Sequence, residues 1–122
     1  MNNAIQIKMT VELDRQRVVD TLINALEGGS NYWLTSYSLG SGEDDSEKEL
    51  QGILNGIGGM LVKENDRDEK SHVVTVKDIE AALQDMANRY PWHFKNLVDE
   101  NDDAETADVL LQLAALKEVV YG

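Results

Sequence analysis

The chain has no cysteine. Disulfides, thiolate metal sites and cysteine nucleophiles are excluded together, and the absence fits a reducing, cytoplasmic compartment. Histidine is nearly as scarce. His72 and His93 are the only two, and neither has a partner at H-E-x-x-H spacing. No apolar run approaches the roughly 20 residues of a membrane span. The opening "MNNAIQIKMTVEL" lacks a basic flank followed by a long apolar block, so neither a membrane segment nor a leader peptide is expected. Positive charge is also short: 11 Lys and Arg stand against 23 Asp and Glu, a net charge of −12. The basic residues are spread along the chain instead of clustered, which disfavours direct nucleic-acid binding. A basic protein surface is the complementary partner, although excess acid also serves solubility alone.

With 122 residues, 42% hydrophobic and 28% charged, the chain reads as one globular domain over 1–122. Residues 4–13 alternate, with Ile5, Ile7, Met9, Val11 and Leu13 on one side, and predict a strand with one buried face. Asp14 is placed to cap a helix over 15–27, in which Val18, Val19, Leu22, Ile23 and Leu26 recur at helical spacing. Gly28 and Gly29 supply its stop, through the left-handed conformation open to glycine. "NYWLTSYSL" reads as a second strand. "GSGEDDSEKE", about 40–49, reads as a mobile acidic loop. "LQGILNGIGG" favours neither helix nor strand. "MLVKEN" and "SHVVTV" predict a hairpin joined by the charged turn "DRDEK".

The next helix carries the clearest signals. Thr75 and Asp78 have capping-box spacing, Val74 and Ile79 that of a hydrophobic staple, and Pro91 stops it. "PWHFKNLV" predicts a short helix with Trp92, Phe94, Leu97 and Val98 inward. Asp103, or Asp102 with Glu105, suits the start of a last helix near 104. That helix, "VLLQLAALKEVV", is apolar nearly all round and needs cover on most sides, part of which a second copy could supply. The fold class is therefore α+β: a small antiparallel sheet, an amphipathic helix after the first strand, and a C-terminal group of about three helices.

No enzyme signature emerges, and the expectation is a non-catalytic protein. "GILNGIGG" lacks the Gly-Lys-Ser/Thr of a phosphate loop and the third glycine of G-x-G-x-x-G. Asp99, Asn101 and Asp103 match positions 1, 3 and 5 of an EF-hand loop. Ala104 and Leu110 then fall where glycine and a bidentate Glu are required, so no metal is assigned. Nothing calls for a cofactor. What remains is "EGGSNYW". Ser30 and Asn31 open the backbone, and Tyr32 and Trp33 can stack on a flat ligand; a helix stop followed by an inward strand residue is the plainer alternative.

Two segments, "ALEGGSNYW" and "NDDAETADVLLQL…EVVYG", resemble a family of small proteins encoded in tailed-phage genomes, most of which carry no assigned activity. The resemblance covers about half of the chain, from both ends. It departs in the last helix, where Leu or Ala stands in place of the family's Phe. The family offers no catalytic residues. It implies an accessory protein acting on the host, in the host cytoplasm, as an antagonist of a defence component. One form is sequestration of a small nucleotide-derived ligand, with Tyr32 and Trp33 stacking and Arg15 or Arg17 offsetting phosphate charge, possibly in a homo-oligomer. The other is an acidic inhibitor that places the Glu43–Glu49 loop and the Asp99–Asp108 cluster on a basic, nucleic-acid-binding host surface.

Overall fold

A computed structural model describes residues 3–39, 45–65, 68, 70–101 and 103–122. Its architecture is α+β: a three-stranded antiparallel sheet with helices gathered around one C-terminal helix.

Asp14 caps α1 (Arg15–Asn24), its carboxylate accepting from the Gln16 N–H at 2.9 Å. The helix runs on into a π-helical turn, Ala25–Gly29. Neither glycine of that turn takes a positive φ, so the expected left-handed stop is not how it ends. Gly28 has open space around it. Gly29 is where a side chain will not fit: a Cβ there would lie 2.7 Å from the carbonyl oxygen of Ala104. Glycine is needed for close approach, not for its backbone freedom.

The sheet has the order β1 (Leu34–Ser38), β2 (Met60–Glu64), β3 (Ser71–Val74). Leu34 pairs with Glu64 and Tyr37 with Val62; Met60 pairs with Val74 and Leu61 with Val73. Met60, Val62 and Val74 are fully buried on the inner face. Residues 66, 67 and 69 of the expected charged turn lie outside the described residues.

The expected strand over 4–13 does not form. Residues 3–13 join no sheet, and Ile5, Ile7, Met9 and Val11 are exposed. Alternation fixes which face of a segment is apolar, but it cannot supply a partner edge. The acidic loop expected over 40–49 needs correcting too. Residues 40–44 lie outside the described residues, but 46–49 open a helix, α2 (Ser46–Leu54), capped by Asp45 onto the Lys48 N–H at 3.1 Å. Leu50 and Ile53 anchor it in the core. Glu47 and Lys48 lie on the exposed side of that helix.

The capping box of α3 (Val76–Arg89) forms as expected, with Asp78 accepting from the Thr75 N–H at 2.8 Å. Pro91 opens α4 (Pro91–Val98). Phe94 is half-buried and Leu97 buried, but Trp92 and Val98, expected inward, are exposed. In two turns of helix only one narrow stripe faces the core, and residues two apart do not share it. Asp103 caps α5 (Ala104–Leu116), accepting from the Thr106 N–H at 2.9 Å. Every residue from Thr106 to Ala115 is buried. The cover comes from this chain itself: α3, α1, α4, the π-helical turn and β3 all pack on α5. The all-round apolarity of α5 therefore calls for no second copy.

Candidate functional site

Two polar side chains sit four residues apart on this apolar helix, Asp108 and Gln112, and both are buried. They belong to one turn of α5 and face the same way. Asp108 was expected among the outward acids of the 99–108 cluster, but it is the hub of an internal network. Its Oδ1 accepts from the Ser30 hydroxyl at 2.8 Å and from the Trp33 indole N–H at 2.7 Å. Its Oδ2 accepts from the Tyr32 hydroxyl and from the Gln112 amide at 3.0 Å. Four donors satisfy the carboxylate without a cation. Burial, then the hydrogen bond and negative charge of Asp108, push the Tyr32 hydroxyl up from 10.0 to about 12, so it stays a donor.

Gln112 holds the segment that follows α5. Its Oε1 accepts from the backbone N–H groups of Val120 and Tyr121, at 2.8 and 2.9 Å, and its Nε2 donates to the Tyr121 carbonyl at 3.1 Å. Lys117, at φ 69°, turns the chain back so that these bonds can form. Tyr121 then lies flat on Trp33 and its hydroxyl donates to Glu64 at 2.5 Å. Glu64 is buried, and its other oxygen is 2.6 Å from His72 Nε2.

The six expected ligand residues separate. Ser30 is buried with its hydroxyl committed to Asp108, and Trp33 is 1% exposed beneath Tyr121, so neither presents a surface for stacking. Asn31 is exposed. Tyr32 alone reaches both the network and solvent, at 54% exposure. Arg15 lines a different, apolar groove with Val76, Ile79 and Leu83. The Arg17 Nε donates to the Leu97 carbonyl at 3.3 Å, tying α1 to α4. The structure thus does not bring the two arginines to the aromatic pair. The residues that do complete the arrangement, Asp108, Gln112 and Tyr121, carried one sequence signal: two polar residues at i and i+4 in an otherwise apolar helix.

Beside Tyr32 lies a cleft of about 420 Å³. Tyr32, Tyr90, Tyr121 and His93 supply rings, Glu105 and Asp108 carboxylates, and Gly29, Ala104, Val109, Val119 and Gly122 the small and apolar remainder. Among the described residues no Lys or Arg lines it. His93 Nδ1 is engaged with the Thr106 hydroxyl at 2.9 Å, which leaves Nε2 without a hydrogen-bond partner among the described residues. The cleft therefore offers aromatic faces, an imidazole nitrogen and a carboxylate. These suit a flat neutral or cationic molecule that donates N–H groups.

The His93–Thr106 contact has the composition of a base and a nucleophile. Thr106 is fully buried, however, and its oxygen also receives the Asn96 amide at 3.3 Å, so it is closed to a substrate. Among the described residues no group of three His, Asp or Glu is placed to hold a metal ion. Compared with protein-family models, with curated proteins and with solved structures, the chain matches none.

Proposed function

We propose that this protein is a non-catalytic binding protein that sequesters a small planar ligand, the base end of a nucleotide-derived molecule, in the Tyr32–Tyr90–His93–Tyr121 cleft. One observation carries the reading. The two segments that resemble the tailed-phage proteins wall the same cleft: Gly29 and Tyr32 from the first, and Ala104, Glu105, Asp108, Tyr121 and Gly122 from the second. The network beneath them fixes the walls, and a rigid wall binds without an ordering cost. The resemblance supports placing this activity in the antagonism of a host defence. With no Lys or Arg among the described residues at the cleft, the ring system enters and any phosphate stays in solvent.

Calorimetric titration with nucleosides and with their mono- and triphosphates tests this. The expected order is nucleoside tightest, with affinity falling as phosphates are added. Glu105→Arg, at an exposed lining position, is expected to weaken nucleoside binding at least about tenfold, equivalent to roughly 1.4 kcal/mol. Equal affinity across the series, or tightest binding of the triphosphate, contradicts the cleft as described.

A second reading, an acidic inhibitor of a basic host surface, rests on a different observation. Arg89, Lys95 and Lys117 are each paired with an acid of this chain, Asp85, Asp99 and Asp78. Glu12, Asp20, Glu27, Glu47, Glu80 and Glu100 are exposed. The surplus negative charge therefore faces outward. Capture of such a partner weakens steeply with salt, whereas nucleoside binding is nearly indifferent to it.

A further inference from the structure

Residues 5–13 have the alternation of a strand with one apolar face, yet they join no sheet among the described residues. Ile5 is 90% exposed, Ile7 75%, Met9 76% and Val11 49%. Covering such side chains is favourable in proportion to the apolar area removed from water, so the segment holds an unused driving force.

The same chain carries the surface that would accept it. β1 and β3 are the outer strands of the sheet, and an outer strand presents a row of unpaired backbone donors and acceptors. On the outer face, Leu61 stands opposite Val73, 43% and 65% exposed. This apolar pair thus ends at β3, an edge strand. The segment already lies near that end of the sheet: Met9, Val11 and Leu13 share a groove with Val76, two residues past the end of β3.

Charge selects the same place. Lys8 and Glu12 are the only charged residues within 3–13, and they cancel; β3, "SHVV", has no acid. Two copies that each carry −12 repel over most of their surfaces. They do not repel where these two stretches meet.

We propose that residues 5–12 of one copy add as a fourth strand to the β3 edge of a second copy, and that the second copy returns the exchange. The result is a closed two-fold dimer. The exchanged strands bring the outer sheet faces together, so that Ile5, Ile7, Leu61 and Val73 cover one another across the interface.

The absence of native cysteine makes the test clean. Ile7→Cys and Val73→Cys are made as separate proteins, both at exposed positions, then mixed and treated with a short bismaleimide. The expected product is a heterodimer joining the two variants. Light scattering of the unmodified chain at micromolar concentration is expected to give twice the chain mass. The Ile5→Asp/Ile7→Asp variant is expected to give the chain mass with an unchanged circular dichroism spectrum. A monomeric unmodified chain overturns the proposal. So does a dimer that survives the double aspartate variant, or a double-cysteine protein that links only within one chain.

Discussion

The ring of Trp33 lies parallel to that of Tyr121, with centroids 5.6 Å apart and an interplanar angle of 5°. An offset stack of this kind contributes about 0.5–1.5 kcal/mol beyond the area it buries. Here it also joins the two ends of the sequence. Trp33 follows the π-helical turn, Tyr121 follows α5, and Asp108 and Gln112 hold the pair in place through the indole N–H and the Tyr121 backbone.

Asp108 is the residue on which that junction depends. Asp108→Ala leaves the buried donors of Ser30 and Trp33 without an acceptor. Stability is expected to fall by about 3–5 kcal/mol, a large share of the total for a domain of this size. Asp108→Asn keeps the shape and one accepting oxygen but turns an NH₂ group toward two donors. About 2 kcal/mol is expected. Urea unfolding of the two variants measures both, and equal midpoints for all three proteins would refute the network's role.

Much of the fold was legible because its signals are local. Asp14, Thr75 with Asp78, and Asp103 each mark a helix start through a bond to a nearby N–H, Pro91 marks one through its fixed φ and missing N–H, and each does so in the structure. What was not legible depends on distant partners. Ile5 to Val11 has a strand's alternation, but whether an edge is available to it is decided elsewhere in the chain. The helix Ser46–Leu54 was hidden because its acid-rich first turn resembles a solvated loop, while its anchors Leu50 and Ile53 fall in a glycine-rich stretch. Trp33 read equally well as a ligand platform and as core, because its neighbour Tyr121 is far away in sequence. Asp108 looked like one more surface acid, and only its position four residues before Gln112 in an apolar helix hinted otherwise.

The two glycines of the π-helical turn are expected to behave differently. Gly29→Ala pushes a methyl group against the Ala104 carbonyl and is expected to cost about 1–3 kcal/mol. Gly28→Ala meets nothing and needs no unusual φ, so it is expected to change stability by no more than about 0.5–1 kcal/mol, in the stabilising direction. Thermal unfolding of the pair gives the comparison. A tolerated Gly29→Ala would mean that the approach of the turn to α5 is looser than described.

Tyr32 makes stability depend on alkaline pH. Its hydroxyl is raised from 10.0 to about 12 by burial and by Asp108. The unfolded chain therefore releases this proton first, and the folded state binds more protons between those values. Stability is full below the unfolded value and is lost as pH rises through the folded one. Tyr32→Phe is expected to flatten this part of the curve while lowering stability at neutral pH. An alkaline profile unchanged by Tyr32→Phe would show that the hydroxyl is not held as described.

The central claim is that the cleft between the two ends of the sequence holds a small planar ligand. Native mass spectrometry of protein taken gently from the cells in which it acts tests it most directly. The account expects a mass above that of the chain or its dimer by that of one small molecule per copy. The excess should disappear on denaturation and be absent from Glu105→Arg. A native mass that equals the chain or its dimer, with nothing released on denaturation, would contradict it.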